Sequence, residues 1–71
     1  MNDFGYALIA LKVGMKVRRA HWPVGKYIRR EEMTAAGVEI PALVIHNPKE
    51  GLLSYVPNLT DLFATDWSCL A

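Results

Sequence analysis

The cationic side chains of this 71-residue sequence are concentrated in one segment. Six of its eight lysines and arginines lie between residues 16 and 30: Lys16, Arg18, Arg19, Lys26, Arg29 and Arg30. Guanidinium and ammonium groups bind carboxylates and phosphates, and most of the acids lie outside this segment. Because the formal net charge is only +1, no global field draws the chain to nucleic acid. The segment therefore predicts a local anion-binding region on a near-neutral protein.

The sequence contains no arrangement of residues that is typical of catalysis. It has no nucleophile–base–acid pattern, no glycine-rich phosphate loop and no cluster with metal-ligand spacing. His21, His46 and Cys69 lack zinc-finger spacing, and we expect the histidines to be surface or packing residues and the cysteine a buried small hydrophobe. A general acid–base pair of Asp61 and His21 is a remote alternative. We therefore predict a protein that is not an enzyme and has no cofactor or metal.

The elements that position the cationic segment begin with a helix. Asp3 is a suitable N-cap and Gly14 a suitable helix stop, which predicts a helix over residues 3–13. Apolar residues recur in it at helical spacing: Phe4, Ala7, Leu8 and Leu11. The cationic residues 16–31 then read as a β-hairpin, with a turn signal at "WPVGK".

Side-chain alternation in the first strand of this hairpin separates its arginines. Val17, Arg19 and His21 point to one side, and the set on the other side is Lys16, Arg18, Ala20 and Trp22. Arg19 shares a face with Val17. We therefore expect its guanidinium to be partly buried and to need an anion or a hydrogen-bonded partner.

The second half of the sequence predicts three further strands and a short helix. "MTAAG" is interpreted as a loop and "VEIPALVIH" as a strand, in which Pro41 requires an edge, a bulge or an interruption. "LLSYV" follows the turn "NPKEG" as a strand. Asn58 is then an N-cap for a short helix that ends near Ala64, and Asp61 lies in its first turn. "DWSCL" is the closing strand, which makes Trp67 a core residue.

These elements predict one α+β domain over residues 1–71. An N-terminal helix packs on a mainly antiparallel sheet of about five strands, with a short helix before the last strand. A chain this short buries a small core, and its single cysteine cannot form an intrachain disulfide. Because 52% of the residues are hydrophobic, we expect a homo-oligomer to cover some of that surface. No signal peptide or membrane span is visible, which favours a cytoplasmic protein.

Two motifs at the ends of the sequence resemble a family of short phage and prophage proteins, the second class of Thoeris anti-defence proteins. The opening motif is aromatic-x-x-Ala-Leu-x-x-Leu-x-x-Gly-x-x-Val-x-Arg-x-x-Trp. Its residues are Phe4, Ala7, Leu8, Leu11, Gly14, Val17, Arg19 and Trp22. The closing motif is Thr-Asp-x-x-Ala-x-Asp-Trp. Its residues are Thr60, Asp61, Ala64, Asp66 and Trp67.

The resemblance implies a sponge in the cytoplasm of an infected or lysogenic bacterial host. Such proteins bind a cyclic nucleotide immune signal, a cyclic ADP-ribose isomer or a related cyclic oligonucleotide, without cleaving it. The downstream effector then stays inactive. The resemblance also implies assembly as a homodimer or homotetramer, with the signal bound between subunits and no membrane partner.

Such a ligand presents a base, phosphates and ribose hydroxyls, and the sequence contains a group for each. Aromatic side chains stack on bases, and the candidates are Trp22, Tyr27 and Tyr55. Arginine forks and helix N-termini bind phosphates, and the candidates are Arg18, Arg19, Arg29 and the turn after Pro57. Carboxylates and amides bind ribose hydroxyls, and the candidates are Asn58, Thr60 and Asp61.

Each candidate has a structural alternative. A tryptophan before a turn, such as Trp22, is more often a core or interface residue than a ligand contact. Asn58 and Asp61 are explained by a helix cap alone, and the arginines by a solvated strand face. Two other functions stay open: a protein-interaction module that acts on a host protein through the basic hairpin, and weak nucleic-acid binding, which the near-zero net charge disfavours.

Overall fold

The computed structural model describes residues 2–70 and places two helices and five strands in them. In chain order they are α1 (Phe4–Lys12), β1 (Lys16–Arg19), β2 (Tyr27–Ala35), β3 (Val38–Asn47), β4 (Gly51–Ser54), α2 (Leu59–Phe63) and β5 (Trp67–Leu70). The strands form an antiparallel sheet in the order β4-β3-β2-β1-β5. The predicted α+β fold is confirmed. No helix within residues 2–70 has the length and apolar character needed to cross a membrane.

Helix α1 covers one face of the sheet and forms the core there. The Asp3 carboxylate accepts a hydrogen bond from the Tyr6 backbone N–H at 2.9 Å, which satisfies one of the free donors at the helix start. The predicted helix over residues 3–13 is therefore confirmed to within one residue at each end. Its buried side chains pack against the strand residues that point toward the helix. The core consists of Ala7, Ala10, Leu11, Val17, Trp22, Ile28 and Trp67.

The predicted first hairpin exists, but its first strand is shorter than the sequence suggested. Val17 pairs with Ile28, whereas the chain turns after Arg19, whose carbonyl accepts from the Trp22 N–H at 3.2 Å. The prediction that Trp22 shares a face with Arg18 is therefore wrong. Once the strand has ended, alternation no longer sets the side-chain direction, and Trp22 turns into the core beneath α1.

The predicted loop over residues 33–37 is also wrong. Strand β2 continues through Ala35, and only Ala36 and Gly37 form the turn to β3. Both have positive φ, 52° and 80° respectively, which is typical of the tight turn whose twist matches that of paired strands. The β2–β3 ladder therefore runs unbroken from Tyr27–His46 to Ala35–Val38.

The distal part of this ladder, residues 31–42, forms an arm. Strand β4 pairs only with Val44–Asn47, so the β3 side of the arm is an edge within the described structure. Of the three alternatives predicted for Pro41, the structure shows the edge position. In an antiparallel ladder that starts from a two-residue turn, every second residue of β3 directs its backbone nitrogen away from β2, and Pro41 is one of them. The proline thus removes an N–H from the open edge and leaves the β2–β3 ladder intact.

Candidate functional site

Asp61 is the centre of a hydrogen-bonded network on the helix-covered side of the sheet. Its carboxylate accepts from Arg19 Nη1 at 3.1 Å and from the Tyr55 hydroxyl at 2.7 Å. Its backbone N–H donates to Asn58 Oδ1 at 2.8 Å, as the predicted N-cap requires. Its carbonyl accepts from Trp67 Nε1 at 3.1 Å. The network ties α2 to β1, β5 and the segment after β4.

Arg19 has a second acid in this network. Its Nε donates to Asp66 Oδ1 at 2.8 Å, and its side chain is only 13% exposed. The expected partial burial and the expected anionic partner of Arg19 are therefore both confirmed. The hydrogen bond from Arg19 lowers the pKa of Asp66. Burial, and then the hydrogen bond to Asp61, raise the pKa of Tyr55.

Four of the predicted ligand residues therefore meet in space, and they bind one another. They are Arg19, Tyr55, Asn58 and Asp61. A fifth, Thr60, is exposed on α2 beside them. Because the network uses the Asp61 carboxylate, the Tyr55 hydroxyl and the Asn58 side-chain oxygen, a ligand that needs these groups must compete with it or bind at its exposed margin. Their assignment to a ligand stays a prediction.

Trp22 lies in the core beside this network. Its ring is edge-on to that of Trp67, with centroids 5.6 Å apart and planes at 80°. Trp67 is buried, as predicted, and its ring also contacts Phe4 edge-on. The ammonium of Lys26 lies 5.0 Å from the Trp22 ring centroid. A cation thus already occupies the face of Trp22 that a base would need.

The remaining predicted ligand residues, Arg18, Tyr27 and Arg29, lie on the opposite face of the sheet. Val17 and Ile28 are fully buried and point toward α1, so their neighbours along the strands point away from it. We call the resulting group the open-face cluster. It consists of Lys16, Arg18, Tyr27, Arg29 and His46.

The open-face cluster combines an aromatic stack with three cations. The rings of Tyr27 and His46 are stacked, with centroids 4.9 Å apart and planes at 18°. The Lys16 ammonium lies 4.8 Å from the Tyr27 centroid, and His46 Nδ1 is 2.9 Å from the Gly25 carbonyl oxygen. Sequence reasoning placed Lys16 in the anion-binding region without naming it as a ligand residue, and it missed His46. His46 joins the cluster because it pairs with Tyr27 across β2 and β3. This register cannot be read from the sequence of either strand alone.

A groove between α1 and the β2–β3 hairpin is a less suitable nucleotide site. Its volume is about 290 Å³, and it is lined by Leu8, Leu11, Lys12, Arg30, Pro41, Ala42 and Leu43. The lining side chains are apolar apart from one lysine and one arginine. None of them can accept a hydrogen bond from a ribose hydroxyl. No group of three potential metal ligands occurs in the described part of the chain.

Comparison with known proteins relates nearly the whole chain to one family. The family model of the Thoeris anti-defense 2-like domain, Tad2-like, matches residues 2–70. The matched range includes both terminal motifs and the whole described fold. A search of curated proteins gave no match.

Proposed function

Because this chain belongs to the Tad2-like family of Thoeris anti-defense 2-like domains, we propose that it is a sponge for a cyclic nucleotide immune signal. The family gives the chain a role in Thoeris anti-defence. The finer proposal is that it binds a cyclic ADP-ribose isomer or a related cyclic oligonucleotide, keeps it intact and so withholds it from its effector. The match over residues 2–70 is the observation that carries this proposal.

The chemistry of the open face supports a nucleotide ligand. Three cations that can bind phosphate oxygens stand beside two stacked rings. On the other side of the sheet, Thr60 and the margin of the Asp61 network supply hydroxyl, carboxylate and amide groups. The two groups lie on opposite faces, so a ligand that uses both has to lie between two copies of the chain.

The hydrogen bonds that hold the carboxylates of Asp61 and Asp66 support ligand binding without turnover. A carboxyl group that acts as a general acid or base has to be free to exchange a proton with the substrate. The Asp61 carboxylate is held by Arg19 and Tyr55. His21 Nδ1 lies 3.8 Å from Asp66 Oδ2, and this carboxylate is in turn paired with Arg19.

We also propose that a second copy of the chain covers the arm in a homodimer or homotetramer. A two-stranded ribbon is only marginally stable in water. The arm has an exposed apolar side on the open face, formed by Met33, Val38 and Ile40. Because Pro41 obstructs pairing along the β3 edge, we expect the apolar side to be covered face to face. A two-fold arrangement that packs this side on itself meets that need.

The sponge is tested by depletion and release. The purified protein is incubated with a cyclic ADP-ribose isomer, and the mixture is passed through a filter that retains the protein with its bound ligand. The retained protein is then heated to release the ligand. We expect the signal to disappear from the filtrate and to return unchanged after heating. Recovery of a linear product would show turnover and contradict the proposal, as would a filtrate that keeps all of the signal.

The assembly is tested by sedimentation with matched variants of the arm. We expect Ile40→Lys to shift the protein toward monomers, because it places a charge in the proposed interface. Thr34→Lys places the same charge on the arm's other side, opposite Glu39, and should sediment like the wild type. A wild type that is monomeric at all concentrations would contradict the proposal.

A second candidate function, a protein-interaction module acting on a host protein, is favoured by one observation. The surface around α2 exposes apolar side chains, among them Leu59 and Phe63, the latter 79% exposed. Exposed apolar patches often mark protein-binding sites. Host protein that is captured by the wild type and lost with Phe63→Ser would favour this function. Saturable binding of a cyclic nucleotide with no captured protein would count against it.

A further inference from the structure

The open face concentrates positive charge beyond what its own acid can neutralise. Lys16 and Arg18 stand on β1, and Arg29 stands on the neighbouring β2, all directed away from α1. Glu31 is the acid that pairs with this group, through Arg29. One carboxylate against three cations leaves a local excess of two positive charges, while the whole chain carries +1. The excess favours an anion with more than one charge.

Both arginines of this face have a hydrogen-bonding group to spare. Arg18 donates through Nη2 to the Trp22 carbonyl, and Arg29 pairs through Nη2 with Glu31. The Nε of each is enclosed and has no acceptor among residues 2–70. An enclosed N–H without an acceptor costs free energy. A turn of either guanidinium toward an anion therefore gives its Nε–H an acceptor, in exchange for the Nη2 contact.

We propose, resting on the proposed function, that Lys16, Arg18 and Arg29 bind the diphosphate group of the nucleotide. A diphosphate offers several charged oxygens within a few ångströms, which suits two guanidinium groups and an ammonium on adjacent strands. The stacked rings of Tyr27 and His46 border the cations on the β3 side. They form the wall against which the neighbouring ribose or base rests.

Two adjacent arginines make a matched test. Arg29 and Arg30 are neighbours in β2, and each pairs with the glutamate two residues further on. Arg29 faces the open side, whereas Arg30 faces the side of α1 and lines the groove there. Arg29→Gln and Arg30→Gln therefore remove the same charge and the same kind of ion pair from opposite faces.

The assay is calorimetric titration of wild type and both variants with inorganic pyrophosphate and, separately, with a cyclic ADP-ribose isomer. We expect Arg29→Gln to weaken pyrophosphate binding about tenfold or more, the usual effect of one lost charge-assisted hydrogen bond. Arg30→Gln should change it less than about twofold, because its charge lies behind the sheet. Arg18→Gln should behave like Arg29→Gln. Melting curves of all variants show that each is folded.

The outcomes separate this inference from the proposed function. Equal effects of Arg29→Gln and Arg30→Gln would overturn the inference. The inference would also be overturned if Arg29→Gln bound the cyclic nucleotide as tightly as the wild type does. The proposed sponge function would not be contradicted by that result. Pyrophosphate binding that depends on Arg29, without any binding of cyclic nucleotides, would support the diphosphate site and overturn the sponge. A wild type that binds neither probe overturns both.

Discussion

Replacing Asp61 by asparagine tests how much the folded state depends on the network that joins α2 to the sheet. The substitution keeps the size of the side chain. It also keeps the backbone contacts of residue 61, among them those with Asn58 and with the Trp67 indole. What changes is the charge that faces Arg19 and the Tyr55 hydroxyl. The Asp61→Asn variant therefore isolates the electrostatic part of the network.

The structure sets the size of the effect. The hydrogen bond between Arg19 and Asp61 is charge-assisted, and both side chains are nearly buried, at 13% and 11% exposure. Such a bond contributes about 1.5–3 kcal/mol, and the weaker bond of Tyr55 to an amide adds to the loss. Arg19 keeps Asp66 as a partner, so its charge is not left unpaired at the larger cost of that case. We expect Asp61→Asn to lower the free energy of unfolding by roughly 2–4 kcal/mol.

This loss is large for so small a chain. At about 0.05–0.15 kcal/mol per residue, 71 residues give roughly 4–11 kcal/mol in total. The assay is urea unfolding at pH 7, with the melting temperature as a second readout. The expected drop in melting temperature is roughly 8–30 °C. A double-mutant cycle with Arg19→Met then measures the coupling, which should be about 1–3 kcal/mol.

The control is the exposed ion pair of Arg30 and Glu32, whose side chains are 38% and 46% exposed. Glu32→Gln should change the free energy of unfolding by less than about 1 kcal/mol, because solvent screens exposed pairs. If Asp61→Asn cost no more than Glu32→Gln, or if the cycle gave no coupling, the network would not be a stabilising unit. The predicted ligand role of Asp61 would then gain weight.

Three further predictions concern pH and the arm. Because Arg19 lowers the pKa of Asp66 in the folded state, urea midpoints should fall as the pH drops below about 4, and Asp66→Asn should flatten that dependence. The raised pKa of Tyr55 means that the folded state holds this proton more tightly. Stability should therefore fall as the pH rises above about 10, and less so in Tyr55→Phe. Ala36 has a φ of 52°, which asparagine tolerates better, so Ala36→Asn should raise the free energy of unfolding by about 0.5–1 kcal/mol in urea titration.

The fold could be predicted from the sequence wherever a residue type strongly favours one local structure, such as a helix N-cap. Asp3 and Asn58 cap the two helices as predicted, and each accepts a hydrogen bond from the backbone three residues on. The closing strand and its buried Trp67 are also confirmed. The loop predicted at residues 33–37 was wrong in length, because only the alanine and glycine at its end, Ala36 and Gly37, leave the strands. They make a two-residue turn that extends both strands.

The site could be predicted only in part, because strand alternation gives the face of a residue but not its neighbours across the sheet. It placed Arg18 and Arg19 on opposite faces correctly. It did not reveal that Arg19 is occupied by acids 42 and 47 residues away along the chain. Nor did it reveal that the Lys16 ammonium lies over the Tyr27 ring or that this ring stacks on His46. Those neighbours depend on the register of the hairpins, which is fixed by turns and core packing.

The perpendicular indoles of Trp22 and Trp67 give the protein a fluorescence signal that depends on where a ligand binds. They are the only two tryptophans of the sequence, and both belong to the core beneath α1. A molecule that docks against Trp22 has to move the Lys26 ammonium from the ring, which shifts the emission spectrum. A molecule held on the other side of the sheet leaves the Lys26 ammonium on the ring, so it changes the emission less and still raises the melting temperature. Emission and melting recorded on one sample therefore tell which side of the sheet is occupied.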